Sequence, residues 1–215
     1  RIIPRAPSTC AALAVLARLV HDLLGLLDRI LGALTDVVGH GLPAVEDMAQ
    51  LRSAGRALAL QGLSPARLLA ELNTFTRHAS HGQFATMSVA VYDAVTGSLD
   101  YASAGHPPAL LRRYRTGEVT RLGGGHGPVL GPVQDAGYSE GRLEVHPGDI
   151  VVMYTDGLVE RRDQDLETGM ARAETLIARW PGDGSLGEAG QALTRAMAPP
   201  PRSDDVCVLA LRFGA

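Results

Sequence analysis

The sequence predicts an α+β fold in which helices cover a strand-rich core. Apolar residues recur at helical spacing before residue 80 and after residue 169, and with a period of two between about residues 87 and 154. Turn signals at Ala94–Gly97, Thr116-Gly117 and Pro147-Gly148-Asp149 divide the middle into short pieces suited to antiparallel pairing. With 215 residues, 46% of them hydrophobic, the chain is long enough for one domain with a sizeable core.

Taken in order, residues 1–10 carry two prolines and read as an irregular lead-in to a single domain over 11–215. From Leu13 to Leu34 the apolar positions Leu16, Val20, Leu23, Leu24, Leu27, Ile30 and Leu31 fit a long amphipathic helix by period alone. Pro43 suits the first turn of a helix, which should reach about Gln61 with Val45, Met48, Leu51, Ala54 and Leu58 on one face and Gly62 ending it. Ser64-Pro65 is an N-cap and first-turn proline for a second helix, running to about His78. Strands follow at 87–93 and 99–104, then a pair at 109–113 and 118–122, a glycine-rich loop at 123–131, and strands at 138–145 and 150–154. Residues 169–198 return to helix with a break at 181–187, and a last strand runs from Val206 to Leu211.

The charge balance narrows the partners. Net charge is −3, so there is no basic field to recruit nucleic acid or anionic lipid. Residues 11–34 are Leu- and Ala-rich, but Arg18, His21, Asp22, Asp28 and Arg29 leave no window of about 18 uncharged apolar residues to span a membrane, and no clean signal-peptide core is present. Cys10 and Cys207 sit at opposite ends without CxxC spacing, which suits a reduced, cytoplasmic protein, a disulfide between the chain ends being the alternative.

Three acids stand at strand ends or glycine turns. Asp36 precedes Val37-Val38-Gly39-His40-Gly41, Asp156 ends the strand in Tyr154-Thr155-Asp156-Gly157, and Asp204-Asp205 opens the last strand. A carboxylate at a strand end beside glycine can leave the sheet while backbone packs closely around an ion, and hard divalent cations favour such oxygen ligands. Taken singly, each is equally an ordinary turn former. His40 and His106 lie in glycine or proline turns, where an imidazole can either touch phosphate or pin its own loop. The other histidines form no zinc-like pair, and Gly123-Gly124-Gly125-His126-Gly127 lacks the Gly-Lys-Ser/Thr ending of a P-loop, so a flexible loop is the reading there.

Together with their flanks these words resemble the SpoIIE/RsbU branch of the PPM (PP2C-like) serine/threonine phosphatases. The matching set, in order, is Asp36 to Gly41 with Met48 to Arg52, Ala85-Thr86-Met87, Tyr101 to Pro108, Pro147-Gly148-Asp149, Tyr154 to Glu160, and Ser203-Asp204-Asp205. The resemblance implies an antiparallel β-sandwich flanked by helices on both faces and a centre of two Mg²⁺ or Mn²⁺ ions between the sheets. Carried over by position, Asp36 would bridge the ions, the Val37 carbonyl would complete one site, and Asp156 and Asp204 would hold the second, with Asp205 the alternative to Asp204. Two cations about 4 Å apart can acidify a shared water and clamp the oxygens of an in-line phosphoryl displacement. The implied substrate is a phosphorylated protein of the anti-anti-sigma type in bacterial signalling, with the helices around 43–78 as a regulatory surface and a homodimer compatible with the reading.

The N-terminal stretch 11–35 departs from the family. Its members usually carry a Gly-Asp-x-x-Asp-like segment about twenty residues before Asp36; here Asp22 matches the second acid, Leu19 stands near the first, and Thr35 replaces a glycine. The resemblance favours strand over roughly 23–38, against the helical period. It also opens a second reading: a catalytically impaired relative that uses the same fold to bind a partner.

Overall fold

The computed structural model describes residues 10–13, 29–37, 42–79, 84–161, 164–199 and 205–214. Their strands are β1 (Cys10–Leu13), β2 (Arg29–Val37), β3 (Ala85–Asp93), β4 (Ser98–Ala104), β5 (Leu110–Arg112), β6 (Val119–Arg121), β7 (Gly141–Glu144), β8 (Ile150–Tyr154) and β9 (Val208–Arg212). Their helices are α1 (Leu42–Ala59), α2 (Pro65–Ala79), α3 (Leu166–Ala178) and α4 (Leu186–Met197). Every strand pairing is antiparallel; one sheet has the order β1-β2-β3-β4-β7 and the other β6-β5-β8-β9.

Three separate apolar cores define four layers. Met48 and Leu51 of α1 and Leu68, Leu69 and Leu72 of α2 pack on Met87, Val89 and Val91 of β3. Ala90 and Leu99 meet Leu111, Val151 and Met153 between the sheets. Leu110, Ile150, Val152 and Tyr154 face Met170 and Ile177 of α3 and Leu193 and Met197 of α4. The period of two sorts these faces: along β8, residues 150, 152 and 154 point to helices while 151 and 153 point into the sandwich. With apolar residues on both sides, all five positions of β8 are buried.

The antiparallel sandwich with helices on both faces is therefore the fold. The helical period from Leu13 to Leu34 is overturned where it can be followed, because Arg29–Val37 is a nine-residue strand paired along its whole length with β3. A continuous apolar run suits a strand buried on both faces as well as a helix, and here tertiary pairing decides. Residues 14–28 lie outside the described residues. Cys10, read as lead-in, instead begins β1, which pairs with the end of β2.

Elsewhere the differences are local. Val45 is 48% exposed, and the inward face of α1 is Ala44, Asp47, Met48 and Leu51. α3 starts three residues before the expected 169 because the Asp165 side chain caps it, accepting from the Thr168 N–H. Ser185 caps α4 in the same way. At the start of α2 the Ala66 N–H is taken by the Glu140 carboxylate, reached from the glycine-rich crossing between the sheets.

Candidate metal and phosphate site

Asp36 is the penultimate residue of β2, directly opposite Thr86 of β3, and Val37 is opposite Ala85. Residues facing each other across an antiparallel pair point to the same side of the sheet, so Asp36 shares the Thr86 face. That side is the sandwich interior, since Met87, Val89 and Val91 fill the opposite, helix-covered face.

Thr86 connects this end to the second sheet. Its hydroxyl lies 2.8 Å from His106 Nδ1. His106 is only 7% exposed, and burial pulls its imidazole down to about 4, with the Tyr154 backbone acting in the opposite direction. The ring is therefore neutral near pH 7 and stands between the start of β3 and the end of β8. Its loop is held by Ser103, whose hydroxyl donates to the His106 carbonyl at 2.8 Å and accepts from the His106 N–H at 3.2 Å. Gly105 turns with φ of 63°, and a Cβ there would come within 2.3 Å of Val129 Cγ1, so only glycine fits.

On the second sheet, β8 ends at Tyr154 opposite Val208 of β9, and Asp156 opens a 3-10 turn over Asp156–Leu158. One Asp156 carboxylate oxygen accepts the Gly157 N–H at 2.8 Å, while its carbonyl takes the N–H groups of Val159 and Glu160. Thr155, with no exposed surface, donates its hydroxyl to the Asp205 carbonyl at 3.1 Å and accepts the Cys207 N–H at 2.9 Å. Thr155, the residue before Asp156, is thereby stitched to the Asp205 backbone at the entry to β9. Cys207 forms no disulfide among the described residues.

The structure thus places Asp36 and the Val37 backbone on the rim where β2 ends, and Asp156 on the rim just past the end of β8, with the Asp205 carbonyl bonded to Thr155; Thr86, His106 and the Tyr154 backbone link the two strand ends. Asp22, His40 and Asp204 lie outside the described residues. Among the described residues no group of three or more His, Cys, Asp or Glu is placed to hold a metal ion. The donors on the rim are carboxylates and backbone carbonyls, and the buried His106 is engaged by Thr86. An open, all-oxygen set fits a hard cation that keeps much of its water, as Mg²⁺ does, and does not fit zinc. Sequence reasoning quoted Thr86 and Thr155 inside its motif words but gave them no role. The one available signal was a hydroxyl residue fixed beside a strand-end acid.

Two antiparallel sheets packed together with helices on both outer faces define the PP2C-like (PPM) class. The RsbU and RsbW domains of Rv1364c from Mycobacterium tuberculosis superpose with a TM-score of 0.79 at 29% identity, over 99% of this chain and 58% of that one. The SiaA-PP2C domain of Pseudomonas aeruginosa shares the fold with a TM-score of 0.71 at 22% identity, over 86% of this chain and 76% of that one. Within the class the chain belongs to the SpoIIE family: the model for stage II sporulation protein E matches residues 28–214. Curated relatives include phosphoserine phosphatase RsbU of Bacillus subtilis (strain 168), 31% identical over 134 residues that make up 62% of this chain and 40% of RsbU. Protein IcfG of Synechocystis is 33% identical over 107 residues, 49% of this chain and 17% of IcfG. The chain matches less than half the length of either.

Proposed function

We propose that this domain hydrolyses phosphoserine or phosphothreonine on a protein, with two Mg²⁺ or Mn²⁺ ions as cofactors. What supports the reading is the Thr86–His106–Tyr154 link, which runs between the end of β2, where Asp36 lies opposite Thr86, and the end of β8, two residues before Asp156. The SpoIIE family match and the similarity to a protein named phosphoserine phosphatase support it.

Asp36, the Val37 carbonyl, Asp156 and Asp204 would hold the ions, with Asp205 the alternative to Asp204 and Asp22 a further donor. Bound there, the ions supply Lewis acidity toward the phosphoryl group and toward water. Thr155 fixes the angle at which Asp156 leaves β8 by locking its own hydroxyl between Asp205 and Cys207. His106, buried and neutral, positions the Thr86 end of β3 from beneath, and His40 would contact the substrate phosphate. The substrate is a phosphorylated partner of the anti-anti-sigma type, and the site of action is the cytoplasm. No helix of the described residues is long and apolar enough to cross a membrane.

Mn²⁺ titration of phosphate release from a phosphoserine peptide tests the proposal. Turnover that saturates with metal and disappears in Asp156→Asn, with the melting temperature unchanged, is the expected result. Absence of Mn²⁺ binding at millimolar concentration would leave the partner-binding reading in its place.

A further inference from the structure

The glycine-rich crossing between β6 and β7 reads as a flexible loop in sequence, yet it is one of the most tightly fastened segments near the site. Gly127 donates its N–H to the Ser103 carbonyl at 2.8 Å and accepts from the Gly105 N–H at 2.9 Å. Three residues on, Leu130 has no exposed surface and pairs with Ala85 in both directions, Leu130 N–H to Ala85 carbonyl at 2.8 Å and Ala85 N–H to Leu130 carbonyl at 3.2 Å. Leu130 therefore extends the sheet at the point where β3 begins, one residue before Thr86.

Beyond Leu130 the chain turns at Gly131, with φ of 110°, and meets a single polar side chain on α2. Asn73, 3% exposed, accepts the Gly131 N–H on Oδ1 at 2.8 Å and donates Nδ2 to the Val133 carbonyl at 2.9 Å. The backbone partners fix the amide orientation, because one must donate and the other must accept. No aliphatic residue of the same size can make both bonds. A buried asparagine on the apolar face of a helix is costly unless its bonds are made, and here they are made to the strap rather than to the helix's own backbone.

We propose that Asn73 is a positioning residue for the site: by clamping Gly131 and Val133 to α2 it holds Leu130 against Ala85 and so keeps Thr86, its partner His106 and the facing Asp36 in place. This rests on the phosphatase reading for its functional consequence, while its structural part stands on the hydrogen bonds alone. Arg77, one turn further along α2, reaches Gln134 at 3.5 Å and backs the same clamp.

The test compares Asn73→Ala with Leu193→Ala, a core substitution in α4 chosen to lower stability without touching the strap. Two quantities are read: kcat and KM with Mn²⁺ and a phosphoserine peptide, and the ring ¹⁵N resonances of His106 near pH 7. Asn73→Ala should lower kcat by roughly ten- to a hundredfold with KM little changed, since a shift of about 1 Å at a remote support is enough to misalign reacting groups. It should also move the His106 Nδ1 resonance as the bond to Thr86 loosens. Leu193→Ala should do neither. Unchanged kcat and an unmoved His106 resonance in Asn73→Ala would overturn the proposal, as would equal changes in Leu193→Ala. If Asn73→Ala does not fold, Asn73→Ser, which retains one short polar group, is read in the same way. A wild-type protein that releases no phosphate would defeat the phosphatase reading, and the His106 resonance alone would then judge the clamp.

Discussion

Two aspartates bracket the same five-residue strand, and they differ in kind. Asp149 immediately precedes β8 and is 2% exposed. Its carboxylate accepts the Tyr114 N–H at 2.8 Å, the His146 N–H at 3.0 Å and the Arg113 guanidinium at 2.8 Å. Its backbone joins the C-terminal strand end, Phe213 N–H to Asp149 carbonyl at 3.0 Å. Asp156, two residues after β8, sits half-buried at the start of a 3-10 turn. In sequence both read as an acid beside a turn glycine. The difference is in use: at one end the protein gives a guanidinium and two N–H groups to a single carboxylate, while at the other the Asp156 carboxylate accepts the Gly157 N–H at 2.8 Å and its neighbour Thr155 is tied to the Asp205 carbonyl.

Paired substitutions break or sharpen this contrast, and the largest effect belongs to the site end. Asp156→Asn should reduce Mn²⁺-dependent phosphate release by roughly a hundredfold or more, since loss of a direct ligand exceeds the 10–100-fold typical of outer supports. Its thermal midpoint should stay close to wild type. Asp149→Ala should do the reverse. Leaving Arg113 and two N–H groups without their acceptor should cost about 3 kcal/mol of stability, read by urea denaturation, with kcat per folded molecule largely retained. If Asp149→Ala instead abolished turnover at unchanged stability, the division of roles along β8 would be wrong.

The layered fold was legible because period and turn chemistry agree from residue 42 onward. β3, β4, β8 and the α1–α2 pair all stand within a few residues of their predicted spans. The N-terminal stretch was legible only through the family resemblance, which favoured strand over roughly 23–38: Arg29–Val37 pairs along its length with β3, and the period of such a short, mostly apolar run does not by itself tell strand from helix. The acids themselves were readable as an ordered set of words. What holds them was not. Thr86, Thr155 and Asn73 act through hydrogen bonds to atoms 20, 50 or 52, and 58 or 60 positions away, and no local pattern announces such partners.

Acid separates the two ends of β8 in a third way. His106 is held down to about 4 by burial, whereas an unfolded histidine titrates near 6.5. The unfolded chain therefore binds a proton that the native site refuses, so stability present above about pH 6.5 is lost as pH falls toward 4, by up to about 3 kcal/mol. At Asp149 burial pushes the carboxyl up, but the Tyr114 and His146 N–H groups and Arg113 outweigh it and leave the group below its usual value. Its contribution is intact above about pH 4 and lost only below that. Chemical denaturation across pH should show a site-end decline between about 6.5 and 4 that flattens in His106→Gln, and a steeper loss below 4 that disappears in Asp149→Ala. A decline in the upper range that persists unchanged in His106→Gln would place its source elsewhere.

The smallest effect tests whether the rim acids are organised by the chain before any ion arrives. Thr155→Val keeps the shape of the side chain and removes only the hydroxyl that joins Asp205 to Cys207. The orphaned Cys207 N–H and Asp205 carbonyl should lower stability by about 1–2 kcal/mol. If Thr155 also sets the relative position of Asp156 and Asp205, Mn²⁺ affinity measured by calorimetry should fall by about tenfold, the scale of a lost outer support. Serine at the same position restores the hydroxyl without the methyl, so it should recover most of the affinity even if it recovers little of the packing. Equal Mn²⁺ affinity in Thr155→Val and wild type would mean that the ion, not the threonine, draws the two rim acids together.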